Sequence, residues 1–216
     1  MTDDDGDPTF TRVPAILSGQ RGVLPPGLEA LQFYSDFGNP FTRAYTWNAS
    51  QPNSLDAFVQ GTSAFFLGYS YHLPSIRARA PKLNLGIAAA PQISGNPEVN
   101  YANYWTWTVS KKTKYPDVAW SFVDYLTSES AAPMYLQAAL RPAARKALLT
   151  AQLEDENIGV FASQVLTAKS WYHGKDPTGA MRAFVQLLDQ APFAADARAF
   201  QNLLRVAEEQ VKQSRR

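Results

Sequence analysis

The stretch "TSAFFLGYSYHLPSIRARAPKLNLGIAAAPQ", residues 62–92, decides the fold class. Its first seven residues, ending at Gly68, read as a buried strand. "HLPSIRARA" then reads as a helix, and "LNLGIAA" as a second strand that stops before Pro91. Strand, helix, strand is the alternation of an α/β protein. Between the first strand and the helix lies Gly68-Tyr69-Ser70-Tyr71-His72, a turn rich in groups that can bind or react.

Upstream of this stretch, Asn53 can cap a short helix, with Asp56 three residues on and Gly61 suited to the left-handed position that ends it. Earlier still, Ala30, Phe33, Tyr34 and Phe37 follow Pro25-Pro26-Gly27 at the spacing of one helix face, and Gly38-Asn39-Pro40 closes that helix. Residues 1–24 are rich in Asp, Gly and Pro without periodicity and read as an irregular or frayed start. Downstream, "EVNYANYWTWTVSKK" reads as extended, because Trp105, Trp107 and Val109 alternate with Thr106 and Thr108. Pro116 then opens a helix with Ala119, Phe122, Val123 and Leu126 as its apolar stripe, and Trp120 and Phe122 are expected in the core. Helical patterns follow at 129–140, 143–153, 158–169, 178–190 and 195–213, the last with Phe200, Leu203, Leu204, Ala207 and Val211 on one face.

Composition excludes several kinds of function. Of the 216 residues 45% are hydrophobic, enough for a sizeable core, and twenty basic against nineteen acidic residues give a formal charge of +1. That balance points to neither nucleic acid nor an anionic membrane surface. There is no cysteine, so disulfides, thiol nucleophiles and Cys-ligated zinc are out. His72 and His173 have no metal-ligand spacing, and neither a metal site nor a cofactor is expected. No apolar run reaches the ~20 residues of a membrane-spanning helix, and "MTDDDGDPTF" is acidic where an export signal would be basic and then apolar.

Two chemistries compete for the turn at 68–72. The sequence Gly-Tyr-Ser-Tyr-His almost matches the G-x-S-x-G nucleophile elbow and sits between a strand and a helix, as an elbow should. It fails at the fifth position, where His72 brings a bulky side chain; Ser70, Asp124 and His173 could still be drawn as a serine-hydrolase triad in that chain order. The alternative is a ligand loop. Trp47, Tyr69, Tyr71, Trp105, Trp107, Trp171 and Tyr172 sit in or beside loops and strand ends, and an aromatic face can stack on the C–H face of a sugar while neighbouring polar groups bond its hydroxyls. Core packing explains any one of them; the cluster favours binding.

"LDAFVQGTSAFFLGYSYHLPSIRARAPKLNLGIAAAPQ", then "YWTWTVSKKTKYPDVAWSFVDYL" and "LRPAARKALL", together resemble the later part of a bacterial extracellular solute-binding protein of family 1. These are the sugar-binding subunits of ABC importers, similar to maltose-binding protein. Phe58, Gly61 and Ala64 match the family's F-x-x-G-K-x-A-M pattern, with Thr62 and Phe65 where Lys and Met are usual, and Ala119, Trp120 and Phe122 match its A-W-x-F helix. The resemblance implies a periplasmic-binding-protein-like (type II) fold of two α/β lobes closing on a ligand. It puts residues 1–100 in the second lobe, 101–140 in a strand and helices crossing to the first, and 141–216 back in the second. It also implies that the chain is a fragment, with one lobe nearly complete and the export signal missing. On this reading Trp47, Tyr69, Ser70, Tyr71, Trp105, Trp107 and Trp171 line the ligand cleft and no residue is catalytic. The partners are a sugar and the permease subunits, the full-length protein is a monomer, and its place is the periplasm or cell surface. The hydrolase using Ser70 and an inactive fragment with exposed apolar faces are the alternatives.

Overall fold

A computed structural model describes residues 10–11, 24–95, 97–170, 172 and 174–216, and nine α-helices carry most of the structure among these described residues. The chain divides into two units, one made of Met1–Pro52 and Tyr172–Arg216, the other of Asn53–Trp171.

In the first unit the main helices are α1 (Pro26–Gly38), α8 (Pro177–Gln190) and α9 (Ala197–Arg215). Pro26 and Pro177 begin their helices where a missing N–H costs nothing. Asp176 accepts from Gly179 N–H (2.8 Å) and Asp196 from Ala199 N–H (2.7 Å), so α8 and α9 both have side-chain caps. Leu187, Ala191, Leu204 and Ala207 close on Leu28 and Leu31 of α1, and Ala180, Ala183 and Val211 extend that core along α8 and α9. Small residues on α8 let its backbone approach the larger side chains of α9. Phe10 packs edge-on to Phe184 at 5.6 Å, and Thr11 donates from N–H and hydroxyl to Glu208, so this piece of the expected frayed start is anchored. The remainder of 1–23 lies outside the described residues.

Helix α1 exists as expected but buries a different face. Leu28, Leu31 and Ser35 point into the core, while Phe33, Tyr34 and Phe37 are exposed, Phe33 and Phe37 meeting edge to face at 5.1 Å. Two overlapping stripes run along this helix, and the leucine stripe is the one that packs with Leu187, Ala191, Leu204 and Ala207.

The second unit contains α2 (Ser54–Val59), α3 (Leu73–Arg79), α4 (Pro116–Leu126), α5 (Ala132–Ala139), α6 (Lys146–Leu153) and α7 (Gly159–Gln164). Asn53 caps α2 by accepting from Leu55 N–H (3.0 Å), and Gly61 ends the segment at φ +77°. Leu73, Ala143, Leu149, Ile158 and Ala162 form the core, with Leu85, Ile87, Leu136 and Leu140 packed around it. Arg79 pairs with Asp56 at 2.6 Å and ties α3 to α2.

The strands differ from expectation. Among the described residues the one ladder is a two-residue parallel pair, β1 (Asn100–Tyr101) with β2 (Ala168–Lys169). It is pinned by Asn100, which is buried and donates to Glu98 (2.7 Å) and Thr167 (2.9 Å). Residues 62–68 and 83–89 form no ladder. Their side chains still alternate: Leu83, Leu85 and Ile87 turn inward between exposed Asn84, Gly86 and Ala88. The same holds for Phe66, which is half-buried between Phe65 (90% exposed) and Leu67 (82%). The two-residue period is present and the hydrogen-bonding neighbour is not, and a strand needs both.

Two more expectations are corrected. The helix expected over 158–169 stops at Gln164, and its end becomes β2. Helix α4 forms as read, yet none of its residues is buried, and Trp120 and Phe122, expected in the core, are 51% and 59% exposed. Among the described residues no helix is long and apolar enough to cross a membrane.

Candidate functional site

The turn after Gly68 is built by reciprocal bonds. Tyr69 N–H donates to His72 Nδ1 (3.1 Å), and His72 N–H donates back to Tyr69 O (3.0 Å), closing a 3-10 turn over Ser70–His72 that runs directly into α3. Gly68 is required by contact: a Cβ there would fall on the edge of the Phe66 ring and within 3.1 Å of His72 Nδ1. The His72 ring is held edge-on against Phe66 (5.2 Å), and Phe66 stacks on Phe58 (5.8 Å). Leu73, at the start of α3, is sunk in the core, so the turn sits on a fixed base.

This base presents a group of aromatic rings. Tyr69 and Tyr71 stack at 5.4 Å with planes 16° apart, Tyr101 of β1 lies 6.5 Å from Tyr69, and the His72 ring is 4.3 Å from that of Tyr71. Tyr71 is exposed, Tyr69 half-buried, and Ser70 between them buried at 7%. Burial raises the Tyr69 phenol above its ordinary pKa, and the neighbouring Tyr101 and Tyr71 push it the same way. Tyr69 therefore keeps its proton well past neutral pH and can donate as well as accept.

One cation joins the group. The Arg141 guanidinium carbon stands 5.9 Å from the centre of the Tyr71 ring, within cation–π range. Its backbone is fixed on both sides. Leu140 is in the left-handed region at φ 47°, which turns the chain sharply out of α5, and Arg141 N–H donates to Leu136 O (3.1 Å). The Gln152 side-chain amide of α6 then clamps the next stretch: its NH₂ donates to Arg141 O (3.0 Å) and its carbonyl accepts from Ala143 N–H (2.7 Å). Ala143 itself is core.

The residues expected to line a cleft thus have different placements. Tyr69, Ser70 and Tyr71 come together on one turn. Trp107 meets Tyr135 of α5 edge to face at 6.4 Å instead, and Trp105 is 77% exposed. Trp47 belongs to the other unit, half-buried, with its N–H bonded to Phe37 O (3.1 Å). Trp171 and His173 lie outside the described residues.

Sequence reading passed over Tyr101, His72 and Arg141 as members of this group. The signal for the first was its aromatic character at the head of an extended segment. Arg141 stood in "LRPAARKALL", where Pro142 marks a chain reversal that could aim the preceding side chain.

The turn does not have the geometry of a nucleophile elbow. Such an elbow is a strained turn that exposes the serine hydroxyl. Among the described residues positive φ occurs at Gly61, Gly95 and Leu140, not at Ser70, and Ser70 is buried. The Nδ1 of His72 is engaged by the Tyr69 backbone.

Two grooves lie elsewhere, one of about 440 Å³ along Pro177, Met181 and Val185 of α8 and one of about 250 Å³ beside Ile76 and Leu83. Thr178, Arg182 and Gln186 line the first from a single helix and Arg77 is the polar side chain of the second, whereas the tyrosine turn gathers groups from several segments.

Helices packed on extended segments carry this aromatic and polar turn. Residues 8–133 match the profile of the family described as "Bacterial extracellular solute-binding protein", and the chain, more than half of which is covered, belongs to that family. A comparison with curated proteins finds none that matches it. Membership implies a periplasmic-binding-protein-like fold and a solute-binding role in import by ABC transporters.

Proposed function

We propose that this protein is the substrate-binding subunit of an ABC importer, that it binds a sugar or oligosaccharide, and that it delivers the ligand to membrane permease subunits without catalysing a reaction. The observation that carries this reading is the Tyr69–Tyr71 stack, with Tyr101 and Arg141 beside it, on a turn anchored by Leu73. Tyrosine rings offer apolar faces to sugar C–H groups and hydroxyls to sugar oxygens. Ser70 adds a donor and acceptor in this reading, and the family resemblance adds Trp47, Trp105, Trp107 and Trp171 as further stacking residues. Residues 1–100 and 141–216 belong to its second lobe and 101–140 to the crossing elements. The working protein is a monomer at the periplasmic side or cell surface, with neither metal nor cofactor.

A thermal-shift titration against mono- and oligosaccharides tests it. A saturable rise in melting temperature with one sugar class is expected, since a ligand that binds only the folded state stabilises it by mass action. No shift with any sugar would remove the sugar from the reading.

A second reading has one observation in its favour: α4 buries none of its side chains. On that reading the chain by itself binds nothing and associates through its apolar faces. Light scattering that finds a monodisperse monomer with a cooperative melt would contradict it.

A further inference from the structure

We infer that the ligand carries an anionic group, a carboxylate or a phosphate on the sugar, and that Arg141 is the residue that selects for it. The inference rests on the sugar-binding reading above and adds the ligand's charge to it.

Arg141 is half-buried beside the tyrosine turn. The ion pairs among the described residues are Arg79 with Asp56, Arg145 with Glu129 and Lys212 with Glu208, and Arg141 is in none of them. Nor does its guanidinium donate a hydrogen bond to any described residue, whereas Arg77 donates to Asn157 and Arg145 to Thr127 O. Among the described residues its side-chain partner is the face of Tyr71. A guanidinium has five donors in a planar fork that matches a carboxylate or phosphate in two parallel bonds. Among the described residues it has no protein acceptor, and a charge taken out of water on ligand binding is costly unless paired.

The position is also held, not free to drift. Leu140 in its left-handed turn, the Gln152 clamp and the buried Ala143 fix the backbone on both sides of Arg141. A sugar whose ring lies against Tyr69 and Tyr71 would bring a ring substituent within reach of the fork. Burial and the neighbouring phenols hold the Tyr69 phenol protonated, so its oxygen brings no negative charge of its own.

The test is a calorimetric titration of the full chain with matched pairs on the same ring, glucose against glucuronate and galactose against galacturonate, with glucose 6-phosphate as a further arm. The acidic member is expected to bind at least about tenfold more tightly than its neutral partner. That preference should shrink as salt is raised, because ion pairing is screened while stacking is not. In Arg141→Gln the ratio of acidic to neutral affinity should collapse toward one. Arg141→Lys, which keeps the charge but not the fork, should retain part of it. The uronate and phosphate arms distinguish the two sources of the anion. Equal affinity for acidic and neutral sugars, or a ratio unchanged in Arg141→Gln, overturns this inference while leaving the sugar reading in place. Binding of none of these sugars overturns both.

Discussion

Helices α9 and α4 are both amphipathic, and only one of them is covered. In α9, Leu204, Ala207 and Val211 are sealed against α1 and α8; in α4, Phe122 and Trp120 remain largely in solvent. A hydrophobic stripe reports that a helix needs a partner surface. It does not report which segment provides one, and only for α9 does this chain do so among its described residues.

The widest separation between the two regions comes from truncating each stripe. Leu204→Ala should lose about 2–5 kcal/mol in denaturant unfolding, from lost burial plus the cavity left behind. Phe122→Ala, which removes more atoms from an exposed position, should change stability by about 0.5 kcal/mol or less. If Phe122→Ala proved as damaging as Leu204→Ala, the contrast would be false and α4 would have a cover in solution.

A smaller effect is expected at the Gln152 clamp. Gln152→Ala leaves Ala143 N–H and Arg141 O without their partners and should cost about 2 kcal/mol by the same unfolding measurement. Smaller still is Asn53→Ala, which removes the cap of α2 and should cost about 1 kcal/mol.

The last prediction concerns pH. Burial pushes the Glu208 carboxyl up, but bonds from Lys212 and from the Thr11 hydroxyl and N–H outweigh it and hold the group below its ordinary pKa. A carboxylate depressed in the folded state stabilises fully above its unfolded pKa, near 4.3. That contribution fades as pH falls through the folded value. Glu208→Gln should therefore be less stable than the parent at pH 7 and converge on it below about pH 4. A constant difference across that range would mean that packing rather than charge sets the effect.

Local chemistry was the legible part of this fold. The Asn53 cap, the left-handed Gly61, the proline-initiated helices and the buried face of α9 each follow from residues within a few positions of one another. The chosen face of α1 did not, since Leu28 and Leu31 win over Phe33, Tyr34 and Phe37 by packing with Leu187, Ala191, Leu204 and Ala207, far away in the chain. Nor did the ladder between Asn100 and Ala168, which depends on a neighbour brought by tertiary packing. At 62–68 and 83–89 the alternation could be read and the absence of a ladder could not. The site divided the same way: Tyr69, Ser70 and Tyr71 were visible as one turn, while Tyr101 and Arg141 reach it only through the fold.

The central claim is that the tyrosine turn is where ligand binds. Its most direct test is the affinity of Tyr71→Ala for the sugar that stabilises the parent chain, measured by calorimetry beside a melt of the unliganded variant. Because Tyr71 is exposed, the variant should fold as the parent does, and loss of its stacking face should weaken binding by about tenfold. Parental affinity in a folded Tyr71→Ala would contradict the claim and move the site elsewhere.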